Sequence, residues 1–223
     1  MSGQALQTSA PGQPAHIPEH LRPIIVKLGG SVVRSGNLEA WLNAIAGAPC
    51  PIVVVPGGGA LADEVRATQF ALGFGDPAAH RMALLAMDQL AWAVAGLRAD
   101  FTVGDSEAAL LESLDQNRVA VWAPFSHVAN RPEIAPSWTI TSDSLALWLS
   151  GRLAARRCYI VKSIERRQNV TGAAALASEG IVDEAFPEML AASGVPTFLL
   201  GKGDEQDFAA ALASGDPCGA AID

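Results

Sequence analysis

Aromatic residues make up only 6% of the 223-residue chain, and cysteine occurs three times. Cys50, Cys158 and Cys218 are odd in number and far apart in sequence, which argues against a disulfide framework or a spaced zinc site and fits a reducing compartment. No thiolate partner accompanies any of them, so none is expected to be catalytic. Positive charge is scarce as well: 15 Lys and Arg against 23 Asp and Glu give a formal charge of −8. That balance argues against nucleic-acid and membrane-surface partners, while a local basic pocket for phosphates stays open. The chain also lacks the run of about 18 uninterrupted apolar residues that a membrane span needs. Residues 1–22, rich in Gln, Ala, Pro, Ser and Gly, have neither the basic nor the apolar region of a secretory leader and are expected to form a disordered arm. His16 and His20 fall in that arm and read as solvated side chains. A soluble, cytoplasmic protein is the expectation that these absences leave.

What the chain does contain is alternation. Half of its residues are hydrophobic, enough for the core of one α/β domain over residues 23–223. Apolar runs at 24–28, 51–56, 100–103, 118–122, 156–162, 195–200 and 218–222 read as strands, and helical periodicity fills much of the chain between them. Asn37 is placed to cap a helix to Ala46, and Leu61, Val65, Thr68 and Leu72 share a face of the next. A longer helix over 78–97 is expected to turn Met82, Leu85, Ala86, Leu90 and Val94 inward. Residues 123–137 carry Pro124, Pro132 and Pro136 and read as a loop rimming a pocket; His127, within it, has no metal-type partner.

Two of the strands end in glycine. Ile24–Leu28 runs into Gly29-Gly30-Ser31, with Lys27 just before the turn, and 51–56 runs into Gly57-Gly58-Gly59. Glycine allows backbone N–H groups to approach an anion closely, and Ser31 and Lys27 add a hydroxyl and a point charge. The lysine precedes the glycines, so this is not a Walker A loop. An ordinary strand-to-helix turn accounts for Lys-x-Gly-Gly-Ser equally well; three successive glycines in the second loop weigh against a purely structural turn. On adjacent parallel strands the two loops would share one rim, where open α/β sheets bind ligands.

Together with Thr141-Ser142-Asp143-Ser144 opening a helix, these motifs resemble, in order and spacing, the amino acid kinase superfamily of acetylglutamate, aspartate, uridylate and isopentenyl phosphate kinases. The likeness spans Ile24 to the C-terminus. His80-Arg81-Met82-Ala83 and the stretch from Trp138 to Ala146 resemble most the archaeal-type kinases of methanofuran synthesis, which phosphorylate an aminomethylfuran methyl phosphate, and their relatives in methylotrophic bacteria. The resemblance implies a three-layer αβα sandwich around a mainly parallel sheet, with an acceptor lobe over about 23–135 and a nucleotide lobe over about 136–223. It also implies an ATP-dependent phosphotransferase using Mg2+, acting on a small-molecule phosphate and assembling as a homo-oligomer.

The resemblance assigns Gly29, Gly30 and Ser31 to the ATP phosphates, Lys27 to the transferred phosphoryl group, and Gly57, Gly58, Gly59 and Ser142 to the acceptor. It gives Asp143 the orienting of the active-site lysines, whereas from the residues alone Asp143 reads equally as a helix cap. His80 and Arg81, in a first helical turn, are placed either to meet acceptor oxygens or to sit as a surface pair; Trp138 is either an acceptor wall or a core side chain. The chain departs from the family where relatives read Thr-Asp-Val-Asp-Gly: Lys162-Ser163-Ile164-Glu165-Arg166-Arg167-Gln168 lacks both aspartates. Lys162 there is either a replacement cation for nucleotide or a surface lysine. The lysine that relatives carry before the penultimate helix is missing too, around 180–186. Two further readings therefore stand beside the first: an impaired nucleotide- or oxyanion-binding storage or regulatory protein, and a kinase of isopentenyl phosphate or a carboxylate.

Overall fold

Strands that are apolar at every position, or nearly so, belong inside a sheet covered on both faces, and β1 (Ile24–Leu28) and β2 (Ile52–Pro56) bury every residue. The computed structural model describes residues 17–34, 36–167 and 172–223. Its sheet has seven strands, with β3 (Phe101–Gly104), β4 (Val119–Trp122), β5 (Arg157–Glu165), β6 (Thr197–Lys202) and β7 (Ala220–Ile222) in the order β3-β4-β2-β1-β5-β6-β7. All pairs are parallel except β6 with the edge strand β7. The chain fills one side of β1 first, with β2, β4 and β3 outward, and then, from β5, the other. This reversal places a ligand crevice at the carboxyl ends of β1, β2 and β5.

Helices cover both faces, giving the expected three-layer sandwich. On one side α1 (Leu38–Ala46) and α9 (Glu205–Ser214) pack Trp41, Leu42 and Phe208 against Val26, Leu28, Tyr159 and Val161. On the other, α4 (Glu107–Asp115), α6 (Ser142–Arg152), α7 (Ala173–Ser178) and α8 (Phe186–Ser193) close over Ile25, Val53, Val55 and Ile160. Two long helices, α2 (Gly59–Leu72) and α3 (Asp76–Gly96), lie against each other beside the β2 end of the crevice. Among the described residues no helix is long and apolar enough to cross a membrane.

Several local expectations change. Residues 1–16 of the expected arm, His16 among them, lie outside the described residues, but 17–22 are attached: Ile17 is buried in the core, and Arg22 donates to the Ala154 carbonyl at 2.7 Å. His20 is exposed, as expected. Asn37 makes no side-chain cap and donates instead to Glu205 at 3.2 Å. Helix α3 begins at Asp76 and buries Leu84, Met87 and Ala91 along with Ala86 and Val94; Leu85 is exposed, and Met82 and Leu90 are only half-buried. Its sequence is apolar on more than one side, so periodicity alone did not select the inward stripe. The proline-rich segment holds a short helical turn, α5 (Phe125–Val128). There His127 is buried beside Trp122 and Trp148 and meets Glu107 at 3.3 Å, facing the core rather than the crevice.

Candidate active site

Register decides which side chains meet at the crevice. Lys27 is paired with Ile160 on β5, and side chains alternate along a strand, so Lys162, two residues on, projects from the same face as Lys27. That face is the one α6 covers, and α6 starts there with Ser142 and Asp143. Asp143 is 3% exposed and sits between the two ammonium groups: Oδ1 lies 2.6 Å from Lys27 Nζ, and Oδ2 accepts a hydrogen bond from Lys162 Nζ at 2.5 Å. Burial opposes a charge on Asp143, but the two lysines outweigh it and hold its pKa below the ordinary carboxylate value. For Lys27, itself 3% exposed, burial dominates and lowers the pKa to about 8; Asp143 pulls it back up and Lys162 pushes it further down.

Asp143 does not cap its own helix. That role falls to Asp183, in the turn before α8, whose Oδ2 accepts from the backbone N–H groups of Thr141 at 2.8 Å and Ser144 at 3.1 Å and whose carboxylate also takes both hydroxyls. With the N–H groups of Thr141 and Ser144 satisfied from outside, the Asp143 carboxylate is left for the lysines. Nothing in the sequence near Asp183 marks it; only the packing of α8 on α6 brings it there.

The glycine loops touch. A side chain at Gly30 would place Cβ 2.3 Å from Gly59, and one at Gly57 would come within 2.6 Å of the Gly30 nitrogen; Gly59 also has φ +53°, a left-handed conformation. Two of the expected free N–H groups are already in use, because the parallel ladder runs past the strand ends: Gly29 donates to Val161 at 3.0 Å and Gly57 to Leu28 at 2.8 Å. The groups left for an anion are those of Gly30 and, at the start of α2, Gly58 and Gly59, where the helix dipole adds to them.

These parts line one cleft of about 310 Å³. Lys27, Gly30, Ser31, Gly57, Gly58, Gly59, His80, Trp138, Ser142, Asp143 and Lys162 all reach it; of the residues read from sequence as site residues, Gly29 does not. His80 is buried and faces the cleft, and that burial lowers its pKa below the ordinary imidazole value. Arg81 is exposed and donates instead to Asn130 at 3.0 Å, in a separate groove. Trp138 belongs to the wall: its indole N–H donates to Gln69 at 2.7 Å, and the Arg66 guanidinium lies 3.7 Å over its ring. Arg66 and Asp63, both on α2, are lining residues that no motif revealed. Ser31 accepts from Ser163 at 2.6 Å, joining the first loop to β5, and Arg166 fixes the end of β5 to Asp204 and Asp207 on the α9 side at 2.9 and 2.7 Å; Gln168 lies outside the described residues. Cys158 is buried, which pushes its thiol up to about 12.

The model of the amino acid kinase family matches residues 22–166. The chain belongs to the amino acid kinase family. It is 28% identical over 180 residues to the [5-(aminomethyl)furan-3-yl]methyl phosphate kinase of Methanocaldococcus jannaschii, covering 74% of this chain and 82% of that one. Its fold is that of uridylate kinase from Archaeoglobus fulgidus (TM-score 0.67, 18% identity, 90% of this chain and 99% of the other). UMP kinase from Bacillus anthracis superimposes similarly, with a TM-score of 0.64, 13% identity, and 91% and 96% coverage.

The carboxylate shared by the lysines sets a titration test. Lys27 loses its proton as pH rises through about 8. Asp143 raises that value, so Asp143→Asn is expected to move the Lys27 titration to lower pH. NMR titration of isotopically labelled lysine side chains checks this; an unchanged or higher midpoint in the variant would contradict the assigned coupling.

Proposed function

We propose that this amino acid kinase family member is an ATP-dependent phosphotransferase acting on a small phosphomonoester, with an aminomethylfuran methyl phosphate of methanofuran-type cofactor synthesis as the acceptor. The observation that carries the reading is the Lys27–Asp143–Lys162 arrangement at the junction of two touching glycine loops. The relative from Methanocaldococcus jannaschii supports the choice of acceptor.

The chemistry asks little of the protein beyond placement and charge. A phosphomonoester is anionic at neutral pH, so one of its oxygens attacks the γ-phosphorus of ATP without a general base. The new phosphorus–oxygen bond forms as the bond to the β,γ-bridging oxygen breaks, and ADP leaves with that electron pair. Gly58, Gly59 and Ser142 hold the acceptor phosphate, Gly30 and Ser31 the ATP phosphates. Lys27 and Lys162 stand where charge develops on the phosphoryl oxygens, each oriented by one oxygen of Asp143. Mg2+ bound with ATP would supply further neutralisation of the phosphate charge. Because the Asp143 oxygens are taken by lysines, the metal would be held chiefly by those phosphates; among the described residues no group of three or more His, Cys, Asp or Glu could hold it alone.

Lys162 also bears on the storage or regulatory reading. The altered segment that raised it puts a second cation on the shared carboxylate, which favours transfer over mere binding. The acceptor lobe of about 23–135 contributes β1, β2 and α2 to the cleft, and the nucleotide lobe of about 136–223 contributes β5 and α6. Three free cysteines accord with a reducing, cytoplasmic setting.

Exposed apolar side chains support self-association. Leu85 and Trp92, seven apart on α3, share a face and are 43% and 68% exposed, and Phe70 and Leu72 at the end of the adjoining α2 are 93% and 75% exposed. A second copy of this chain is the proposed occupant, giving a homo-oligomer.

Two experiments follow. Wild-type protein with ATP-magnesium should release ADP in proportion to added [5-(aminomethyl)furan-3-yl]methyl phosphate, and Lys27→Met should lower that turnover on the order of 10³-fold with the fold retained; undiminished turnover in the variant would refute the site. Sedimentation should give a dimer or larger for the wild type and a smaller species for Trp92→Lys, whereas a monomeric wild type would refute the interface.

A further inference from the structure

On α2, residues that follow Gly59 at helical spacing line the cleft one above another: Ala62, Asp63 and Arg66. Asp63 and Arg66 are three apart, a spacing at which an ion pair on the helix surface is favoured. They do not form one. Arg66 lies over the Trp138 ring at 3.7 Å, and Trp138 is anchored by Gln69, which in turn donates to Asp76 at 2.8 Å. Asp63 is consequently a carboxylate on the cleft wall with no hydrogen bond or ion pair to any described residue. Asp143, by contrast, has both oxygens engaged.

We propose that Asp63 is a specificity-determining residue that selects acceptors carrying a cationic amine at the end opposite the phosphate. This rests on the kinase reading above for the phosphate's position at Gly58 and Gly59. Asp63 lies four residues beyond Gly59, a rise of about 6 Å along the helix. A five-membered ring bearing one methylene to the phosphate and one to the amine spans a distance of that order. A carboxylate there attracts the ammonium and repels a second anion, so it favours an acceptor with an amine over a phosphomonoester that lacks one, such as isopentenyl phosphate. Arg66, held on Trp138, is kept from neutralising it.

The test is calorimetric binding of two acceptors to the full-length protein without nucleotide: [5-(aminomethyl)furan-3-yl]methyl phosphate, and the analogue with methyl in place of aminomethyl. Wild-type protein should bind the amine about tenfold more tightly, the range of a hydrogen bond to a charged group. Asp63→Asn, an isosteric change at an exposed helical position, should bring the two affinities within about twofold of each other. Equal binding by the wild type, or full discrimination kept by Asp63→Asn, would overturn the proposal. Turnover is read separately with ATP-magnesium. Discrimination that depends on Asp63 without any ADP release would refute phosphoryl transfer while supporting the role of Asp63, and transfer to both acceptors with equal binding would do the reverse.

Discussion

One carboxylate shared by two lysines is the constraint on which the cleft depends. Asp143, Lys27 and Lys162 together carry one net positive charge where little water reaches. A buried charge without a partner is strongly unfavourable, so Lys27 needs Asp143, and Asp143 needs at least one of the lysines. What remains is an excess of positive charge at the cleft floor, and an anion is what completes it. The lowered Lys27 pKa is the same fact seen from the lysine: a single carboxylate divided between two cations does not fully offset burial.

The geometry that permits this is set by backbone. Lys27 and Lys162 meet because β1 and β5 are neighbours in parallel register, and Asp143 reaches them because Asp183 takes over the start of α6. Contact between Gly30 and Gly59 brings the two loops so close that even a methyl group would force them apart. In this account that closeness is functional, since donor and acceptor phosphates must come within bonding distance of each other.

Much of this was legible in the sequence, for physical reasons. Apolar runs such as 24–28 and 51–56 admit few readings other than buried strands, and glycines at both strand ends pointed to one rim. The layered fold is as the resemblance implied, and Lys27, Gly30, Gly57, Asp143 and Trp138 line one cleft. The ambiguities were those that only tertiary contacts resolve. Lys162 sat in a segment that looked like a loss, and its value depends on strand register. Gly29 looked free because linear sequence does not say how far a ladder continues. Asp183 and Asp63 belong to no motif, and the inward stripe of α3 was obscured by apolar residues on several sides.

Replacing the second lysine tests the central claim most directly. Single-turnover phosphoryl transfer by Lys162→Ala, at saturating ATP-magnesium and acceptor, isolates the chemical step from binding. If Lys162 and Lys27 jointly hold the charge that develops during transfer, the rate should fall on the order of 100-fold or more. A transfer rate equal to that of the wild type under those conditions would contradict the shared-carboxylate account.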